Sequence, residues 1–234
     1  MNDTITVYTF WLMLFTGILA VATFLAVLVA LLKDELVSIW RKPSLTVRIS
    51  LAPPDCHKTE IAVSNAETGE FVGVWPCYYL RIWVENTGNA RAKYVEVFAR
   101  RLLRKHADDQ FKEEPQFLPI NLKWSHTGEV ILPGISSKMG RFCDIGHMVS
   151  PDKTVAAGHA IRGVAAGQTV LCLDLQVAPN TRTHLVSPGI YRLQIRVAAA
   201  NSRPVDHMIE LTLTGKWFDD QAKMFTDGLG FRRA

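Results

Sequence analysis

The 28 residues from Ile5 to Leu32, ITVYTFWLMLFTGILAVATFLAVLVALL, carry no charged side chain. At about 1.5 Å of rise per residue they make roughly 42 Å of helix. A bilayer core of about 30 Å needs only about 20 such residues, so the run spans with length to spare for tilt. Tyr8 and Trp11 near its start predict one interfacial belt; Trp40, ending a stripe of Leu36, Val37 and Ile39, predicts the other. A cleaved signal peptide would have a basic segment ahead of a shorter apolar core. Here no Lys or Arg precedes the run, so an anchor is expected.

Flanking charge predicts orientation. Asp3 stands on one side with no Lys or Arg, while Lys33, Arg41, Lys42 and Arg48 stand on the other. The positive-inside rule then places the following domain in the cytoplasm of a single-pass protein of the cell membrane. Within the span Ala22, Ala26 and Ala30 recur at four-residue spacing, with Gly17 just ahead. Small residues on one helix face let backbones approach closely in lipid, so self-association through this strip is an expectation.

After Pro43 the hydrophobic period changes from helical to two. Leu45, Val47, Ile49 and Leu51 alternate with polar residues, as do Tyr78, Leu80, Ile82 and Val84. Leu171–Val177, Tyr191–Val197 and Ile209–Leu213 repeat the pattern; Glu60–Ser64, Phe71–Trp75, Phe117–Lys123 and Arg141–Ile145 are shorter candidates. Alternation with one apolar face is the mark of half-buried antiparallel strands. Turn residues at Asn65–Gly69, Asn86–Asn89, Pro133-Gly134, Pro188-Gly189 and Asn201–Pro204 separate them. Lys93–Lys105 fits both periods, strand through Val95, Val97 and Ala99, helix through Tyr94, Phe98 and Leu102; its β-branched residues favour strand at least to Ala99. In Lys216–Ala234, Trp217, Phe218, Met224 and Phe225 recur at helical spacing and predict a short amphipathic helix over an open end of the sheets. The expected organisation is an anchor and juxtamembrane segment at 1–42, a β-sandwich at 43–215 and a helical tail at 216–234. The fold class is all-β, an antiparallel sandwich behind one transmembrane helix.

The segment Leu80-x-Ile82-x-Val84-x-Asn86-x-Gly88-x-x-x-Ala92-x-x-Val95-x-Val97 resembles the hairpin of bacterial immunoglobulin-like modules of the CARDB, cell-adhesion-related, kind. Tyr191–Ala200 and Val205–Thr214 are similar to the last two strands of such a sandwich. The resemblance covers about a fifth of the chain and implies an immunoglobulin-like fold. Modules of that kind act outside the cell in adhesion or as spacers, whereas the flanking charges here predict the cytoplasm.

Sites for chemistry are sparse. Cys56, Cys77, Cys143 and Cys172 form no C-x-x-C pair and match no zinc-finger spacing. Cys56-His57 and Cys143-x-x-x-His147 come nearest to a ligand set, and no metal or other cofactor is expected. A cytoplasmic domain would keep these thiols reduced. No G-x-S-x-G elbow is present, and Gly158–Gly163 lacks the Lys-Ser/Thr of a phosphate loop. Asp108-Asp109, Glu113-Glu114 and Asp219-Asp220 lie in polar stretches with nothing apolar to raise a carboxyl pKa. The chain is therefore expected not to be an enzyme.

Two surfaces are singled out for interaction. Tyr79 and Trp83 alternate with core positions and so share the outward face of one strand. Arg100, Arg101, Arg104 and Lys105 concentrate positive charge that could meet anionic lipid headgroups; no aromatic-interleaved basic strip points to nucleic acid. The 26 Lys+Arg against 22 Asp+Glu leave a net charge of only +4, and 48% hydrophobic content excludes a disordered chain. The expected function is a membrane-anchored, non-catalytic scaffold or accessory subunit that binds a protein partner; the alternative is an anchored ligand-binding sensor.

Overall fold

Side chains on alternate positions leave one face of an extended chain dry, and the chain beyond Pro43 buries that face between two sheets. The computed structural model describes the backbone of residues 2–64 and 68–234, with side chains for 5–33, 41–64 and 68–234. The chain divides into Met1–Lys42 and Pro43–Ala234.

The first unit is one helix, α1 (Asn2–Trp40). Its Ile5–Lys33 portion is long and apolar enough to cross a membrane. Thr9, Thr16 and Thr23 each donate a hydroxyl hydrogen bond at 2.8 Å to the carbonyl four residues earlier, Ile5, Leu12 and Leu19. The helix thus satisfies these hydroxyls internally. The side chains of Trp40 and of its stripe Leu36, Val37 and Ile39 lie outside the described residues.

The second unit contains β1 (Leu45–Arg48), β2 (Cys56–Ser64), β3 (Phe71–Asn86), β4 (Ala92–Lys105), β5 (Phe111–Glu113), β6 (Ile120–Asn121) and β7 (Ile131–Ile135). There follow β8 (Gly140–Val149), α2 (Pro151–Thr154), β9 (Leu171–Leu173), β10 (Leu185–Val186), β11 (Gly189–Ala199), β12 (Ser202–Leu213), α3 (Gln221–Lys223), a π-turn at Met224–Gly228, and β13 (Leu229–Arg233). One antiparallel sheet runs β1-β3-β8-β9-β10, with β2 also paired to β3; the other runs β13-β12-β11-β4-β5, with β6 and β7 on β4. Leu80, Ile82 and Val84 from the first sheet meet Val95, Val97, Leu193, Ile195, Ile209 and Leu211 from the second in one core.

The alternating runs form strands, with changes at several edges. Phe71–Trp75 and Tyr78–Glu85 belong to one long strand, β3. In the run at Leu171–Val177 the strand ends at Leu173; beyond it Leu175 makes an isolated antiparallel bridge to Leu122, and Val177 is exposed. Of Phe117–Lys123 only Ile120–Asn121 is strand. Residues 65–67 of the expected Asn65–Gly69 turn lie outside the described residues.

The ambiguous segment is strand throughout, and its double periodicity has a cause. Gln194 pairs with Arg101 while Ile195 pairs with Ala99, so Arg100 is a bulge residue. One extra residue shifts the inward phase from Val95, Val97 and Ala99 to Leu102, all four buried. The Asn-Thr-Gly turn is equally specific. Asn86 is fully buried; its Oδ1 accepts from Ser44 N and Gly88 N, both at 3.1 Å, and its Nδ2 donates to Ala90 O at 2.7 Å and Ile135 O at 3.1 Å.

The tail holds a single turn of α-helix, capped where Lys223 N donates to Asp220 Oδ1 at 2.7 Å. Around it Trp217 and Phe225 pack on Tyr78, at ring separations of 4.9 and 5.8 Å, and Tyr78 donates to Phe218 O at 2.8 Å. Beyond the turn, where the helical spacing of the tail predicted no strand, β13 adds an edge strand to β12 and buries Leu229 and Phe231. Its five residues are too few for a period to show.

Candidate functional site

The outer face of the β3–β8–β9 sheet carries a polar row that alternation alone would leave in water. His57, Tyr79, His147 and Cys172 are successive register partners across β2, β3, β8 and β9. A bulge creates this row. Leu80 pairs with Gly146 but Arg81 with Asp144, which makes Ile145 an extra residue in β8. In a regular strand Cys143 and His147, four apart, would share a face. The bulge reverses the phase, so Cys143 lies in the core while His147 stacks on Tyr79, ring centroids 5.4 Å apart. Cys56 likewise faces the core and its neighbour His57 pairs opposite Tyr79. The two Cys–His pairs nearest to a ligand set in sequence are therefore each split between the two faces.

Gly146 allows β8 and β9 to close at the bulge: a Cβ there would stand 2.2 Å from Cys172 O. His147 and Cys172 thus lie side by side. His159 joins them from the segment after α2, where its N–H donates to Thr154 O at 2.8 Å and Arg182 holds the Gly158 carbonyl. Ligand-capable atoms of His147, His159 and Cys172 all lie within 4.8 Å of one another. These residues are 8%, 8% and 9% exposed.

Polar neighbours orient the group. His147 Nδ1 lies 2.8 Å from Asp174 Oδ1, in the segment just after β9. One row along, Arg81 Nε donates to Asp144 Oδ1 at 3.1 Å, and Ser125 Oγ donates to the same oxygen at 2.5 Å. Burial raises the Asp144 carboxyl above its usual range despite these partners, because desolvation outweighs their attraction. Burial, reinforced by Asp174, pushes the Cys172 thiol up to about 12. Burial, with the neighbouring charges of His147 and His184, holds His159 down to about 4. Its Nδ1 has no hydrogen-bond partner. At neutral pH the cluster is a thiol beside an unprotonated imidazole, with donor atoms converging from three segments.

Tyr79 and Trp83 share the outer face, and both are half-buried. Tyr79 is sandwiched by His147 and by the Arg81 guanidinium, 5.3 Å from its ring centre. Trp83 packs on Phe142 at 4.7 Å and over Gly140, and Arg48 lies 5.8 Å above its ring. Trp83, Phe142, Trp124 and Leu132 line a shallow cleft of about 350 Å³.

The basic run is paired within the protein. Arg100 meets Asp206 at 3.3 Å, Arg101 grips Glu113 through two bonds of 3.0 and 2.7 Å, and Lys105 meets Asp109 at 2.8 Å. Arg104 donates to Pro188 O at 3.4 Å and covers Tyr191. Ala22, Ala26 and Ala30 recur every fourth residue along α1 and so share one side of it.

The His147–His159–Cys172 group was not legible as a site in sequence. Its members stand twelve and thirteen residues apart, matching no ligand spacing, and only the bulge and the loop after α2 bring them together. A usable signal was the recurrence of histidines around one short apolar run, His147, His159 and His184 flanking Leu171–Leu173. No protein-family model, no curated protein and no solved structure matches this chain.

Proposed function

We propose that this chain is a single-pass membrane protein whose β-sandwich, immunoglobulin-like and of the CARDB kind, serves as a non-catalytic interaction or accessory subunit on the cytoplasmic face. The observation that carries this reading is the β2–β3 ribbon. β8 pairs with β3 only as far as Cys77, so Phe71–Pro76 and Glu60–Ser64 extend as a two-stranded arm beyond the sheet. On it Phe71, Val72 and Val74 are 66%, 56% and 50% exposed. Adjacent exposed apolar residues on a projecting ribbon mark protein contact more often than solvated surface. The four-to-none Lys/Arg asymmetry across α1 supports the cytoplasmic side.

The test is mild detergent extraction of the tagged chain from native membranes, followed by identification of what co-purifies. A stoichiometric protein partner is expected, lost in the double variant Phe71→Ser/Val74→Ser with the melting temperature unchanged. A wild-type chain recovered alone refutes the reading. Tyr79→Ala/Trp83→Ala tests the second surface: loss of partner with unchanged melting assigns it to binding, and a large drop in stability assigns it to packing. The alternative, an anchored ligand-binding sensor, is favoured by the converging donors of His147, His159 and Cys172.

A further inference from the structure

We propose that His147, His159 and Cys172 bind a single transition-metal ion of the thiolate–imidazole class, with zinc(II) the best-matched ion and Asp174 as its outer-sphere partner. This does not depend on the protein-binding role.

Three observations converge. The donor atoms already lie within 4.8 Å of one another. Zinc holds imidazole nitrogen at about 2.0–2.1 Å and thiolate sulfur at about 2.3 Å, so its ligand atoms stand about 3.3–3.7 Å apart in a tetrahedron. Side-chain rotations of about 1 Å close that gap, and His147 and Cys172 need no backbone change because they are register partners on adjacent strands.

Second, His147 presents itself as ligating histidines do. Its Nδ1 faces Asp174 Oδ1 at 2.8 Å, which leaves Nε2 as the free donor. A carboxylate on the far nitrogen fixes the ring's orientation and raises its basicity toward a metal. Third, His159 is more than nine-tenths buried, yet its Nδ1 has no partner. A buried ring nitrogen left unpaired is costly, and an ion within reach of its imidazole gives the ring a reason to be there.

The donor set selects the ion. One soft sulfur with two imidazoles suits zinc or cuprous copper; calcium and magnesium demand oxygen. On binding, the metal–sulfur bond forms as the Cys172 thiol proton leaves to solvent. Three protein ligands leave a fourth position for water or a ligand atom, the arrangement of a reactive rather than a closed structural site.

Cobalt(II) is the probe, added to the full chain in detergent micelles after chelator treatment. One cobalt per chain is expected, with a thiolate-to-cobalt charge-transfer band in the near ultraviolet and the strong visible bands of four-coordination. Zinc should displace both. Cys172→Ser should remove the charge-transfer band, and Asp174→Asn should keep it while weakening affinity by about 10–100-fold. His159→Gln lies in a loop rather than a strand and should also weaken binding, with unchanged tryptophan fluorescence as the check on folding. Cys143→Ala, in the core, should keep the band. The proposal is overturned by weak six-coordinate spectra, by a band that survives Cys172→Ser, by a band that depends on Cys143, or by affinity indifferent to His159→Gln.

Discussion

Replacing Asn86 by alanine isolates the device that joins the two sheets. Asn86 ends β3, and its buried amide holds four backbone groups: the N–H groups of Ser44 and Gly88 and the carbonyls of Ala90 and Ile135. In Asn86→Ala the Ser44 side recovers water, since Ser44 is exposed, and Gly88 and Ala90 recover it in part. The Ile135 carbonyl lies at a residue only 2% exposed, and its partner is not replaced. One orphaned buried carbonyl costs about 1–3 kcal/mol, and the half-exposed bonds add about 0.5–1 kcal/mol each. The variant should therefore lose about 3 kcal/mol. Urea unfolding of the full chain in micelles, followed by tryptophan fluorescence, measures it. Asn86→Asp sharpens the test by aiming an anion at two carbonyl oxygens. Repulsion and burial would raise the folded-state pKa of the new carboxyl above its unfolded value of about 3.9. The folded state then holds that proton more tightly, so stability is greatest below the unfolded pKa and is lost as pH rises through the folded one. The aspartate variant should be closest to wild type near pH 4 and furthest from it at neutral pH. A loss below about 1 kcal/mol in Asn86→Ala, or no pH dependence in Asn86→Asp, would refute the reasoning.

Gly146→Ala should cost about 2–4 kcal/mol in the same assay, because its Cβ meets the Cys172 backbone carbonyl rather than a side chain that can move; a neutral effect would show that β8 and β9 part freely there. His207 faces the core beside Ile209 with neither ring nitrogen partnered, so His207→Leu should stabilise by about 1–2 kcal/mol at neutral pH. Burial, with Arg233 adding, lowers its folded-state pKa, so its contribution is present above the unfolded value of about 6.5 and lost as pH falls toward the folded one. His207→Leu should flatten that acid decline, and parallel pH–stability curves for the two proteins would count against it. Fusing alkaline phosphatase and a fluorescent protein in turn to the C-terminal end should give a bright fluorophore and an inactive phosphatase; the converse reverses the orientation.

Local pattern carries what depends on neighbours in sequence. An uncharged run long enough to cross a bilayer determines α1, because a helix needs nothing beyond itself to satisfy its backbone. Strict alternation determines β3, β11 and β12, because side-chain direction in a strand repeats every two residues whatever it packs against. The inward set Tyr78, Leu80, Ile82 and Val84 and the set Tyr191, Leu193, Ile195 and Val197 are read directly from that period. Bulges lie beyond it. At Arg100 and Ile145 one residue is inserted against a partner strand, and such an insertion is defined only by the register between strands distant in sequence. The bulge at Ile145 sends Cys143 to the core and His147 to the outer face, beside a cysteine twenty-five residues later. The edge strand β13 is of the same kind, since five residues acquire a strand's identity only when β12 offers them unpaired backbone. The apolar helix, the strands and their inward faces were in the sequence; the meeting of His147, His159 and Cys172 belongs to the tertiary structure, because convergence across three segments leaves no spacing in any one of them.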